Sequence, residues 1–483
     1  MKKTLLLPIT LLLASISFSQ SLVSINTMAT KTVPQVQSYL NAYGWDYSNM
    51  NLNPVNSFKV TYNTTDVHGN STVASGAVYI PQMTSCSHAP ILAYEHGTEF
   101  RRTNVPSNNK YVGQGLYFST TGYITVMPDY LGLGDNQGIH LYQHAETEAT
   151  VTLDLIKAVR EYLDTASNTI QDNGELFLTG YSHGGHAAMA TNKYIEENSL
   201  TSEFKVIAAA PLSGAYDQTG AQFDLIFDGD SNYYASPFLP YILASYQEAY
   251  GDLYQNYNEI YDASHATNIE SYITTANHTG TQWTIMLGSN YYNFMQDSVL
   301  QNLLADSDRD SHPINVALRK NNVYDWVPLN PVKMIYCGND SMVSPLNATV
   351  TLDTMISLGA TEVEALNVLA TGDHNGCFIP ATTHALAWFD SMSTKCGFSG
   401  LEEADLNSIS VFPNPTKGVV TIKGIDLNNS TLILTSTLGQ KYEVNKLEQN
   451  KINLENLPTG IYFLSIYNNE SNLIEKRIKV IKE

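Results

Sequence analysis

The chain has 483 residues, 43% hydrophobic and 15% charged, with 30 Gly and 18 Pro. That composition excludes a disordered, collagenous or coiled-coil protein, and the length predicts two or three domains with a large core. Lys and Arg total 25 against 46 Asp and Glu, a net charge of −21. Such acidity repels phosphate backbones and anionic membranes and argues against a nucleic-acid partner. It is uneven: residues 401–483 hold 9 basic and 10 acidic residues, which leaves 16 and 36, net −20, for 1–400.

Residues 1–19 read as a secretory signal peptide. Lys2 and Lys3 form the basic start, Leu5 to Ile16 is apolar, and Ser17-Phe18-Ser19 supplies the cleavage site. The apolar run is too short to span a bilayer, so the protein is expected to leave the cytoplasm, where disulfides form. The catalytic unit is expected over 20–400. Residues 57–80 read as a hairpin around His68-Gly69-Asn70. Apolar strand-like runs follow at Pro90–Tyr94, Tyr123–Met127, Glu175–Thr179 and Phe204–Ala210, with helical spacing over 146–164 and 185–197. Short apolar strands alternating with helices predict an α/β fold with a mostly parallel sheet, whose ligands sit beyond the carboxyl ends of the strands.

From about 215 to 330 the alternation stops. This stretch holds 13 of the 31 Tyr, with Trp283 and Trp326. Segments 240–257 and 294–305 read as helices. An aromatic-rich insertion between two strands predicts a helical cap over the active face, its tyrosines lining a partly wet cleft. Strand chemistry returns at Lys333–Cys337 and Ala365–Ala370, with helices at about 346–358 and 381–392. An acidic linker, 401–408, precedes short β-rich runs over 409–483, which predict a small all-β sandwich.

The strongest chemical signal is Gly180-Tyr181-Ser182-His183-Gly184-Gly185, a G-x-S-x-G between a strand and a helix. The bare motif is weak; its strand–turn–helix setting exposes the Ser182 hydroxyl at a helix start and makes it a nucleophile candidate. A serine nucleophile needs a base, and the base an orienting carboxylate. The chain order Ser, acid, His selects Asp340, after the Lys333–Cys337 strand, and His374, one strand later. Asp373 would point away from His374, and His384 reads as a packing residue. The oxyanion donors are expected to be the N–H of His183 and an N–H of the loop His96-Gly97-Thr98, with Thr98 favoured. There is no H-E-x-x-H, C-x-x-C or His/Cys cluster, so no metal or cofactor is expected; His140 and His144 read as ordinary hydrogen-bonding residues.

Residues 30–400 resemble the α/β-hydrolases, and within them the secreted lipase/esterase group. The matching segments are Glu95-His96-Gly97-Thr98, Pro128-Asp129-Tyr130-Leu131-Gly132-Leu133-Gly134, Gly180 to Ala188, Gly338 to Pro345 and Gly372-Asp373-His374. The resemblance implies cofactor-free hydrolysis of small-molecule or lipid carboxylic esters through an acyl-enzyme. His183 stands where many lipase-like members carry Gln, a variant that is also similar to prolyl-oligopeptidase-type peptidases. A secreted serine peptidase and an inactive hydrolase-like surface binding module are the alternatives. The tail segments Val411 to Gly418, Ser436 to Gln440 and Leu457 to Tyr462 look like the C-terminal sorting domain of type IX secretion. That implies export through the periplasm by an outer-membrane machinery.

Four cysteines allow three pairings. The inferred fold brings Cys337, before Asp340, near Cys377, just after His374. It places Cys86 and Cys396 together at the other end of the sheet. The expected bridges are Cys337–Cys377 and Cys86–Cys396.

Overall fold

A computed structural model describes residues 20–395, except 49, 85, 166–167, 228–236, 289 and 306–310, and residues 410–483, except 424–429, 437–439, 448–449 and 469–473. The signal-peptide segment 1–19, the linker 401–408 and Cys396 therefore lie outside the described residues. The chain divides into two compact units, Met1–Gly397 and Phe398–Glu483.

The first unit is built on a nine-stranded sheet. Its strands are β1 (Leu22–Lys31), β2 (Val55–Thr65), β3 (Ser71–Pro81), β4 (His88–Glu95), β5 (Ile124–Pro128), β6 (Gln171–Tyr181), β7 (Lys205–Leu212), β8 (Val332–Cys337) and β9 (Val363–Leu369). They lie in the order β1-β2-β3-β5-β4-β6-β7-β8-β9. β1, β2, β3 and β5 pair antiparallel, and every pair from β5 to β9 is parallel. The predicted hairpin is β2–β3, joined through the turn at Gly69.

Period-two alternation sends side chains to two cores. Ile91 and Ala93 of β4 enter one core and Leu92 and Tyr94 the other; Leu176 and Leu178 of β6 oppose Phe177 in the same way. The first core is closed by α3 (Ala145–Leu163), α4 (His183–Glu197) and α11 (Leu346–Ser357), and the second by α1 (Val33–Tyr43), α2 (Val112–Ser119) and α12 (His374–Asp390). Each fully buried Leu, Ile, Val or Phe in these layers is worth about 1.5–3 kcal/mol of transfer free energy. This is an α/β-hydrolase architecture, a mostly parallel sheet covered by helices on both faces.

Between β7 and β8 the chain forms α5 (Ala221–Phe227), α6 (Phe238–Tyr250), α7 (Ala263–Thr275), α8 (Gly280–Leu287), α9 (Asp297–Leu304) and α10 (Pro313–Lys320). They share a separate core of Tyr241, Tyr246, Tyr261, Trp283, Phe294 and aliphatic side chains. The helix expected over 240–257 stops at Tyr250, where Gly251 takes a left-handed φ of 74°. That over 294–305 begins at Asp297. The last helix starts at His374, seven residues before the expected start, because Asp373 caps it by accepting from the Gly376 N–H at 2.7 Å. His384 on that helix is exposed, not a packing residue. Among the described residues, no helix is long and apolar enough to cross a membrane.

The second unit holds two four-stranded antiparallel sheets. Val420, Ile422, Leu434, Ile452, Leu464 and Val480 form its core.

Candidate active site

β6 runs into Ser182, and α4 begins at the next residue. Ser182 has φ 62° and ψ −118°, in the left-handed region that L residues avoid, a conformation costing about 1–3 kcal/mol. The close approach of β4 explains the flanking glycines. A Cβ on Gly184 would lie 1.9 Å from the Glu95 carbonyl oxygen, and one on Gly180 would lie 2.6 Å from the same atom. The Ser182 N–H donates to the Leu212 carbonyl at 2.9 Å, which fixes the elbow against β7.

Beyond the carboxyl ends of β8 and β9 stand Asp340 and His374. His374 Nε2 is 2.9 Å from Ser182 Oγ, and its Nδ1 is 2.6 Å from Asp340 Oδ2. The other Asp340 oxygen accepts the Met342 and Val343 N–H groups, both at 2.9 Å. An acceptor-only carboxylate opposite Nδ1 selects the tautomer with the proton on Nδ1 and leaves Nε2 free to accept from serine. The loops are tied together by the Asn339 N–H on the Gly372 carbonyl at 3.1 Å and by a Cys337–Cys377 disulfide. Cys86 is also disulfide-bonded; its expected partner, Cys396, lies outside the described residues.

On the other side of Ser182 is the loop after β4. A Cβ on Gly97 would sit 3.6 Å from the Tyr181 carbonyl oxygen, so this loop passes beside the elbow. The His96 carbonyl accepts from Tyr130 Oη at 3.2 Å, and the Gly97 carbonyl from Tyr111 Oη at 3.4 Å. Thr98 Oγ1 lies 3.0 Å from the Tyr142 hydroxyl. These contacts hold the loop without using the Thr98 N–H. His183, as the first residue of α4, has no carbonyl one turn earlier in the helix to receive its N–H.

Next to the elbow lies a buried polar layer that the sequence reading did not single out. Glu148, in the first turn of α3, faces His183 Nε2 at 2.6 Å and His186 Nδ1 at 2.8 Å. Burial alone would raise its carboxyl; the His186 and His183 imidazoles outweigh that and hold it well below the carboxylate range. Nearby, burial pushes Glu95 up to about 8. His140 is buried with Nδ1 on the Leu131 carbonyl at 2.8 Å, and His144 caps α3. The signal for Glu148 was available: it puts a carboxylate on the stripe of α3 that continues through Thr152, Leu155 and Val159, an otherwise uncharged buried face.

Ser182 opens on a cavity of about 600 Å³, counting the space at its mouth. Its walls come largely from the insertion, with Phe223, Ile226, Phe227, Phe238, Leu239 and Ile242 prominent. Among the described residues, no tyrosine of the insertion lines it. Tyr241, Tyr246 and Tyr261 are spent inside the cap core, where hydroxyls such as that of Tyr246 are bonded to Gln143 and Gln218. Tyr142, at the pocket wall, comes from the segment before α3. Among the described residues, no group of three or more His, Cys, Asp or Glu could hold a metal.

Comparisons with known proteins agree with the architecture. Residues 116–396 match the secretory lipase family, and the chain belongs to that family. Residues 410–481 match the secretion system C-terminal sorting domain. Among solved structures, the rice cell wall degrading esterase LipA from Xanthomonas oryzae is similar at 25% identity and a TM-score of 0.67, over 77% of this chain and 98% of its own. Candida antarctica lipase A shares the fold at 16% identity and a TM-score of 0.52, over 78% and 84%. A protein from Legionella pneumophila subsp. pneumophila shares it at 23% and 0.69, over 80% and 100%. A search of the curated proteins returns no match. The protein is a lipase/esterase-like hydrolase, secreted or held at the cell surface.

Proposed function

We propose that this hydrolase cleaves carboxylic esters through an acyl-enzyme on Ser182. The observation that carries the reading is the chain Ser182 Oγ–His374–Asp340, with contacts of 2.9 and 2.6 Å, at the mouth of an apolar pocket. His374 Nε2 takes the hydroxyl proton as Oγ attacks the ester carbonyl carbon. The negative charge that develops on the carbonyl oxygen is met by the His183 N–H and by an N–H of the Gly97-Thr98 loop. The tetrahedral intermediate collapses, the C–O bond to the alcohol breaks, and His374 returns the proton to the departing oxygen. Water, deprotonated by His374, then attacks the acyl-enzyme and regenerates Ser182. Asp340 holds the ring and stabilises the imidazolium without taking its proton.

The phenylalanine, leucine and isoleucine walls suit an acyl chain, in keeping with the ester chemistry of the similar LipA. The C-terminal unit is read as the handle for the outer-membrane secretion machinery.

A panel of p-nitrophenyl esters tests the assignment. Ser182→Ala and His374→Ala are each expected to lower kcat by at least about 10⁴-fold, and Asp340→Asn by about 10³–10⁴-fold. Near-normal turnover by purified Ser182→Ala would sink the reading. Faster cleavage of aminoacyl-p-nitroanilides than of esters would move the enzyme to the peptidases.

A further inference from the structure

Helix α4 starts without the usual support. Its N-cap is Ser182, whose side chain makes no capping hydrogen bond and instead faces His374. A serine N-cap ordinarily satisfies a first-turn N–H and sets the helix start, worth about 1 kcal/mol. Here that side chain is committed to chemistry, in a backbone conformation at φ 62°. Something else has to hold the first turn.

The first turn is gripped by its side chains. His183 and His186 are three residues apart and so share one face of the helix. Both meet the same carboxylate, Glu148 Oε1 at 2.6 Å and Oε2 at 2.8 Å, in a site where Glu148 is 1% exposed and His186 is fully buried. The far side of His186 is held too: its Nε2 is 2.9 Å from the Asn321 carbonyl oxygen. Asn321 Oδ1 in turn accepts the Ala145 N–H at 2.9 Å, at the start of the helix that carries Glu148. Ala145, Asn321, His186 and Glu148 thus close a ring linking α3, the end of α10 and α4. The Gln218 side-chain amide nitrogen also approaches His186 Nε2, at 3.1 Å, so this ring nitrogen is held from two sides.

We propose that Glu148 is a positioning residue for the oxyanion donor at position 183: by clamping the His183 and His186 side chains it fixes the first turn of α4 and aims the His183 N–H. The inference rests on the acyl-enzyme reading of Ser182. It assigns the His183 imidazole a role that does not involve touching substrate, since the ring is buried against Glu148, Tyr130 and Tyr142. A clamp of this kind acts on the transition state, in which the oxygen is charged, and hardly on the bound ester.

The test is Glu148→Gln in the full chain, which keeps the shape and removes the charge that two donors share. Losing one oxyanion donor lowers kcat by about 10²–10³-fold; misaiming it is expected to cost roughly 10²-fold in kcat, with KM within about threefold of wild type. The inhibition constant of a trifluoromethyl ketone, which forms a charged tetrahedral adduct on serine, should rise by the factor that kcat/KM falls. A role confined to stability would leave kcat per folded molecule and this inhibition constant unchanged, and that result overturns the proposal. So does a rise in KM at constant kcat. Should Glu148→Gln fail to fold, His186→Gln decides: it keeps a donor toward Glu148, loses the bridge to Asn321, and should lower kcat about tenfold in the same pattern. Ser182→Ala is run in parallel. If it stays active, the nucleophile assignment fails; if it is dead while folded Glu148→Gln turns over at the wild-type rate, only the positioning role fails.

Discussion

Single residues at the elbow set sharp tolerances. Gly184 and Gly97 sit on opposite sides of the same backbone crossing. A Cβ at 184 would overlap the Glu95 carbonyl oxygen at 1.9 Å, whereas at 97 the nearest approach would be an ordinary 3.6 Å, to the Tyr181 carbonyl oxygen. Neither has a left-handed φ, so space alone separates them. Gly184→Ala is expected to destabilise the protein by at least about 2–3 kcal/mol through a forced backbone shift. Gly97→Ala should melt within about 1 kcal/mol of wild type. Thermal melts of the two variants check this, and equal losses would show that β4 and the elbow yield more readily than the packing suggests. The same tight crossing made the G-x-S-x-G informative. The glycines are demanded by an approach that a one-dimensional pattern records, whereas the Glu148 clamp joins residues 35 and 38 positions apart in the chain and leaves only a misplaced carboxylate as its trace.

Elements differ in how openly the sequence announces them. The parallel strands β4 to β9 are short apolar runs bounded by turn residues, and the loops after β4, β6, β8 and β9 carry the candidate residues because that is where the topology opens the sheet. The sequence does not announce β1, for a physical reason. The edge strand β1 is only half covered, and its residues show no clean alternation. The cap was legible as an interruption but not in detail: α8, α9 and α10 are eight residues each, too short for a clear 3.6-residue period, and stand by mutual packing. The tyrosine count pointed to aromatics without saying which face they take. The observed lining gives a specific expectation: Ile242→Trp should narrow the pocket and lower kcat/KM for a long p-nitrophenyl ester at least tenfold more than for a short one. A chain-length profile that keeps its shape would remove α6 from the acyl site. The Cys337–Cys377 bridge, spanning 40 residues, is an element-level brace. Replacing both cysteines by serine should lower stability by about 2–4 kcal/mol, measured by denaturant unfolding.

At the scale of the whole molecule, the buried titratable groups predict a stability optimum in pH. Burial holds His96 and His140 at about 3 and His144 at about 4, against an ordinary 6.5. Each is neutral in the folded protein but takes up a proton when unfolded below pH 6.5. Their contribution is therefore complete above 6.5 and is lost as pH falls toward their folded values. Glu95 and Asp129 run the other way. Burial raises Glu95 from 4.5 to about 8 and Asp129 from 3.8 to about 6. The folded protein keeps protons that the unfolded chain releases, so stability is present at low pH and is lost as pH rises through these folded values. Between pH 4.5 and 6 the unfolded chain gains up to three protons on histidines and lacks two on carboxyls, a net excess approaching one in its favour. Stability then climbs with pH by up to about 1.4 kcal/mol per unit. Above about pH 7 the Glu95 proton outweighs what remains on the unfolded histidines, and stability falls with pH at about half that slope or less. The melting temperature should accordingly peak at about pH 7. Glu95→Gln isolates the alkaline limb: the amide keeps an oxygen acceptor for the Thr152 hydroxyl, which Glu95 Oε1 receives at 2.7 Å, while deleting the titration. Melting curves from pH 7 to 8.5 should decline in the wild type but not in Glu95→Gln. A decline of equal slope in both would assign the alkaline loss to other groups and leave Glu95 ionised in the folded protein.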